Sequence, residues 1–177
     1  MRKTKWLMVS ALLGAVTEGV PAGVLESRES SFTIESVATT RAAPAAVYAA
    51  LGKVSAWWDP EHTWSGSAQN LSLELQAGGC FCEKLPDGGS LQHGRVIYAQ
   101  PGVMLRLDSP LGPLQEMPVT GVLTFRLEPH EGGTKITLNY RVAGAFTLES
   151  AKLAPIVDQV MHTQLDRLAA YTGSPPK

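Results

Sequence analysis

The chain has 177 residues, 44% of them hydrophobic and 18% charged, enough for one globular domain with an interior of its own. Lys plus Arg number 15 against 16 Asp plus Glu, so the formal charge is -1 and no basic surface asks for nucleic-acid phosphates. Nucleic acid is therefore not an expected partner.

Arg2, Lys3 and Lys5 precede an apolar run from Trp6 to Val16, and small residues follow around Val20-Pro21-Ala22. That order predicts a secretory signal peptide over residues 1–22, cleaved after Ala22. The run is short for a bilayer and Glu18 follows closely, so no stable membrane span is expected once the signal is removed. The mature chain is then expected in a periplasm or outside the cell, where thiols tend to be oxidised or metal-bound unless buried. Residues 23–31, ending in SRESS, read as a polar linker.

From Phe32 to Thr40, FTIESVATT alternates at strand period. Pro44 suits the first position of a helix in which Val47, Leu51 and Val54 share a face, and Gly52 ends it. SAWWDPEHTWSG, broken by Pro60 and Gly66, predicts a short helical turn and then an exposed loop. Six further segments read as strands: LSLEL, CFCEKL, SLQHGRVIY, VMLRLD, VTGVLTFRLE and TKITLNYRV. Their Gly- and Pro-containing connectors predict hairpins, with Pro101-Gly102 in a type II turn, and only SPLGPLQEMP is a longer loop. The period then changes, and Leu153, Val157, Val160, Met161, Leu165, Leu168 and Tyr171 form one broad helical stripe. Ser150 is placed to cap that helix, Pro155 to kink or restart it and Gly173 to close it, leaving residues 174–177 as a disordered tail.

This order resembles the START/SRPBCC superfamily and its helix-grip fold. APAAVYAAL, Trp57-Trp58, GGCFCE, DGG and GGTKITLNYRV resemble in particular its polyketide cyclase/dehydrase and heat-shock-ATPase-activator-like branch, over about residues 32 to 172. The resemblance implies an α+β domain over residues 32–173, in which a curved seven-stranded antiparallel sheet wraps a long C-terminal helix and two short helices follow the first strand. It also implies a cavity for a small hydrophobic or amphipathic molecule, and binding more directly than catalysis. No cofactor is expected.

The residues themselves agree in part. Val119, Leu123, Phe125 and Leu127, then Ile136, Leu138, Tyr140 and Val142, make one sheet face dry, and Val103, Leu105 and Leu107 add to it. If the helix leaves the concavity partly unfilled, Phe81, Tyr98, Leu105, Leu123, Phe125, Leu138 and Tyr140 are candidate ligand contacts from the sheet, with Val157 and Met161 from the helix. Trp57, Trp58, His62 and Trp64 either cap the core or form the mouth of such a cavity. The alternative is a fully packed interior.

GGCFCEKLPDGGSLQHG carries the remaining chemistry. Cys80 and Cys82 share a strand face, where β-carbons two residues apart lie about 6.5 Å from each other against roughly 3.8 Å in a disulfide, so free thiols are the simpler expectation. A tight PDGG turn sets Cys82 opposite His93, which makes Cys80, Cys82 and His93 a conceivable metal or redox group, although the usual Cys-x2-Cys spacing is missing. The face is ambiguous. Counting back from Pro101-Gly102, by way of the PDGG turn, sends the cysteines and His93 outward and Phe81 and Glu83 inward; counting forward through QAGG sends the cysteines inward. A bulge reconciles the two counts.

An inward Glu83 has a raised pKa and serves as acid or base for a carbonyl compound, with Tyr140 or Arg106 polarising a ligand oxygen. No Ser-His-Asp order, phosphate loop or HExxH motif supports another enzyme class. The leading expectation is an exported hydrophobic-ligand-binding protein. The alternatives are a polyketide cyclase/dehydratase-like enzyme using Glu83 and Tyr140, and a metal or redox module.

Overall fold

A computed structural model describes residues 23–173; the expected signal peptide and the last four residues lie outside the described residues. Among the described residues eight strands form one antiparallel sheet: β1 (Gly23–Arg28), β2 (Ser31–Thr40), β3 (Leu71–Leu73), β4 (Cys80–Lys84), β5 (Ser90–Gln100), β6 (Met104–Asp108), β7 (Val119–His130) and β8 (Gly133–Gly144). Their order across the sheet is β1-β2-β8-β7-β6-β5-β4-β3. Helix α1 (Pro44–Leu51) follows β2, and the long helix α2 (Ser150–Gly173) closes the chain. Short 3-10 turns at Val54–Ala56, Pro60–His62 and Gly112–Glu116 shape the connections that matter for the site.

The strand count is eight, not seven, because most of the expected linker is β1, paired with β2 from Gly23↔Glu35 to Arg28↔Ser31. Its side chains are almost all exposed, so no alternation of apolar residues marks it in the sequence. Backbone pairing and α2 hold it instead: the Ser150 hydroxyl donates to the Arg28 carbonyl, and Ser27 Oγ lies 3.0 Å from Ser150 Oγ. Ser150 therefore ties α2 to β1. The helix runs through Pro155 without a break.

One face of α2 covers the concave sheet. Leu153, Met161, Leu165 and Leu168 are buried against Phe32, Ile34, Ile136, Leu138 and their neighbours, each worth about 1.5–3 kcal/mol of transfer from water. Gln164 is also fully buried, with both ends of its amide used. Its Oε1 accepts the Asp59 N–H at 2.8 Å and its Nε2 lies 3.2 Å from His62 Nδ1, so α2 anchors the aromatic turn between α1 and β3.

Strand β5 carries two bulges. Against β4 the register steps from Phe81↔Gly94 to Cys82↔Gln92, leaving His93 as the extra residue. Against β6 it steps from Val96↔Leu107 to Tyr98↔Arg106, leaving Ile97 extra. Each bulge reverses the side-chain alternation beyond it. Gly94 permits the first, since a β-carbon there would sit 2.5 Å from Ser109 Oγ.

Candidate functional site

The bulges decide what faces the interior. Phe81 and Glu83 are buried on the concave side, while Cys80 and Cys82 are half-buried on the convex side. His93, expected to point outward, is buried and faces Glu83, because as the bulge residue it escapes the alternation of its strand.

Cys80 and Cys82 are joined in a disulfide, against the expectation of free thiols. The β4–β5 bulge lies at this point of the strand, and the two Cα atoms are 5.4 Å apart, within the range a disulfide accepts. With both sulfurs bonded on one face and His93 on the other, the proposed metal group of Cys80, Cys82 and His93 does not come together. Among the described residues no group of three His, Cys, Asp or Glu side chains is placed to hold a metal ion.

Glu83 is 1% exposed, and its carboxylate is surrounded by donors. Oε1 accepts the Ser65 N–H at 2.5 Å, Oε2 accepts the Trp64 N–H at 3.1 Å, and His93 Nε2 lies 2.7 Å from Oε2. Burial pushes the carboxyl pKa up, but the bonds from Ser65, Trp64 and His93 outweigh it and hold the group below its ordinary range. This corrects the expected raised pKa: Glu83 is an ionised acceptor that pins the 64–65 backbone, poorly suited to be a base. His93 is likewise held below its usual value, since burial lowers it more than the Glu83 charge raises it.

Tyr140, too, is committed to protein partners and is not among the cavity-lining residues. Its hydroxyl donates to the Ser109 carbonyl at 2.8 Å and accepts the Leu111 N–H at 3.0 Å. Burial, with the nearby Asp108 charge, pushes its pKa far above the ordinary tyrosine value despite the Leu111 bond, so it stays a neutral clamp on the start of the 109–118 loop. Gly121 leaves room for this contact; a β-carbon there would lie 2.6 Å from the Ser109 carbonyl and 2.8 Å from the Tyr140 hydroxyl.

Between these pieces lies a cavity of about 350 Å³. Leu153, Ile156, Val157, Val160 and Met161 of α2 form one wall. Leu111, Pro113, Leu114 and Met117 of the 109–118 loop form the opposite one. The aromatic turn closes the end with Trp58, His62, Thr63 and Trp64, and His93 reaches the cavity from the sheet.

Of the expected ligand contacts, Trp58, His62, Trp64, Val157 and Met161 line this cavity. Trp58 is buried, with its indole N–H donated to the His62 carbonyl at 3.0 Å, whereas Trp64 is 51% exposed at the rim. Trp57 is turned away, its indole N–H bonded to the Ala50 carbonyl at 2.8 Å. Phe81 lies behind the lining, its ring centroid 5.3 Å from that of Trp58 and 4.8 Å from that of His93. Leu105, Leu123, Phe125 and Leu138 are packed core and not among the lining residues. Tyr98 is 42% exposed on the convex side, because the Ile97 bulge turns it outward. Arg106 is there too, donating to Thr124 Oγ1 at 3.0 Å and lying over the Tyr98 ring.

Sequence reasoning missed the loop wall and gave His93 only a metal or redox role. Leu111, Leu114 and Met117 in a Pro-rich loop were the available signal, since apolar residues in a connector need something to pack on. The arrangement can enclose a compact apolar body and offer it one buried imidazole.

The architecture is the helix-grip fold, and solved structures share it. Protein CV1439 from Chromobacterium violaceum is 19% identical with a TM-score of 0.55, the match covering 81% of this chain and 98% of that one. Conserved protein EF2215 from Enterococcus faecalis is 17% identical with a TM-score of 0.59, covering 85% and 77%. Mll3558 from Rhizobium loti is 21% identical with a TM-score of 0.58, covering 79% and 96%. No curated protein matches. Residues 41–173 match the family model described as activator of Hsp90 ATPase homolog 1-like protein, and the chain belongs to that family, a member of the SRPBCC superfamily. Among the described residues no helix is long and apolar enough to cross a membrane.

Proposed function

We propose that this chain is an exported protein that holds a small hydrophobic or amphipathic molecule in the cavity between α2, the 109–118 loop and the aromatic turn. The observation that carries the reading is the cavity itself. Its two long walls are apolar, and at about 350 Å³ it falls at the compact end of the roughly 300–1,000 Å³ usual for small-ligand sites. The fold supports the same reading, since the SRPBCC class commonly binds hydrophobic ligands. Export is supported by the basic-then-apolar N-terminus and by the Cys80–Cys82 disulfide, which suits an oxidising compartment. A cyclase or dehydratase role resting on Glu83 and Tyr140 has less support, because both groups are occupied by protein partners.

Native mass spectrometry of protein purified from the periplasm of its own host tests the reading. The expected result is a non-covalent adduct of a small apolar molecule on a chain beginning at Gly23. A chain that retains Met1–Ala22 in the cytosol sinks export. Binding falls if neither a co-purified molecule nor any apolar probe occupies the cavity.

A further inference from the structure

Four polar side chains, Glu61, His62, Thr63 and His93, line the cavity. Thr63 spends its hydroxyl on the Pro60 carbonyl at 2.7 Å, and His62 Nδ1 is paired with Gln164. Glu61 is exposed on its turn. His93 is the buried polar side chain of the lining.

Its protonation follows from Glu83. Two backbone N–H groups and His93 Nε2 converge on that carboxylate, and a carboxylate that only accepts needs a proton on the imidazole nitrogen facing it. Neutral His93 is therefore the Nε2–H tautomer, and Nδ1 carries a lone pair. The Ser109 hydroxyl meets the His93 carbonyl, not the ring, and Phe81 flanks the ring face. Among the described residues no protein donor reaches Nδ1. Nor is it sealed: among the described residues the enclosed side-chain polar atoms without a partner are Ser36 Oγ, Asp158 Oδ1 and His162 Nδ1. Nδ1 is thus an oriented acceptor without a protein partner among the described residues, on a side chain that lines an apolar cavity.

We propose that the cavity recognises a compact apolar molecule bearing one hydroxyl donor, a phenol or an enol, and that His93 Nδ1 accepts that hydroxyl while Glu83 fixes the tautomer. The inference rests on the cavity being the ligand site. Glu83 is then a positioning residue. Its removal acts on the ligand only through the imidazole.

The test compares 2-naphthol with naphthalene, of nearly the same shape, by equilibrium dialysis against the full chain and its His93→Phe and His93→Gln variants. The parent is expected to prefer 2-naphthol by about tenfold, the worth of one net hydrogen bond. The preference is expected to vanish in His93→Phe and to shrink in His93→Gln, whose amide still reaches toward Glu83. If neither probe binds the parent, the cavity reading falls and this inference with it. If both bind equally well, the cavity stands and the inference is wrong. A preference that survives in His93→Phe places the hydroxyl on another acceptor and also overturns it. Should the variants fail to fold, nitrogen-15 spectra of the parent imidazole decide. Nδ1 is expected to be unprotonated and to shift with 2-naphthol but not with naphthalene; a protonated or unresponsive Nδ1 refutes the proposal.

Discussion

Replacing Glu83 by Gln removes the charge at the junction of sheet, aromatic turn and cavity while keeping the shape. The carboxylate now accepts the Trp64 and Ser65 N–H groups and the His93 ring nitrogen, with 1% of the residue exposed. An amide has one acceptor oxygen, so its NH2 must face a donor at one of the two positions. The least costly arrangement turns the NH2 toward Ser65, orphaning that N–H, and leaves Trp64 and His93 on the remaining oxygen. An orphaned buried donor costs about 1–3 kcal/mol, and downgrading two charge-assisted bonds to neutral ones costs roughly a further 1 kcal/mol. Glu83→Gln should therefore lose about 2–4 kcal/mol, lowering Tm by roughly 6–12 °C in a chain of this size. Urea unfolding of parent and variant measures it, with tryptophan emission reporting whether Trp64 loosens with its backbone. A loss under about 0.5 kcal/mol, with unchanged emission, would refute the claim that this carboxylate holds the turn.

Three other predictions follow from the same contacts. Glu83 and His93 are both held below their unfolded values, so the unfolded chain takes up protons first; stability should be complete above about pH 6.5 and fall on acidification, first through the histidine range and then the carboxylate range. Urea midpoints across pH should show this, and Glu83→Gln should flatten the carboxylate portion. Tyr140→Phe leaves the Ser109 carbonyl and Leu111 N–H without partners and should cost about 2–4 kcal/mol in the same assay, with faster hydrogen exchange confined to the 109–118 loop. Ellman titration of unreduced, unfolded protein should find no thiol, and Cys80→Ser with Cys82→Ser should cost only roughly 1–2 kcal/mol because the closed loop is so short, leaving cavity binding intact.

The helix-grip architecture was legible because its signals are long and periodic. The α2 stripe, up to Leu168 and without the exposed Tyr171, and the alternation in β7 and β8 reach the structure as read, and each has one dry face to bury. What was not legible sits where periodicity fails. β1 has no apolar face, and it is held by backbone pairing and by Ser150. The site turns on β5, where hairpin counting assumes one residue per register step and two bulges break that assumption. His93 and Ile97 are the extra residues, so the count back from Pro101-Gly102 placed His93 outside and Tyr98 inside, and both errors come from the same strand. The conflict between the two flanking hairpins was itself the sign of a bulge. The 109–118 wall was hidden for another reason: apolar residues between prolines share no period, and only the Tyr140 clamp and the approach through Gly121 show why the loop folds inward.

Chemical-shift mapping of labelled protein titrated with 2-naphthol tests the ligand site most directly. Saturable shifts are expected at the Trp58 and Trp64 indole N–H groups, the Val157 and Met161 methyls and the Leu111–Leu114 backbone, with the convex face around Tyr98 silent. Shifts confined to that convex face, or none that saturate, would contradict that ligand site.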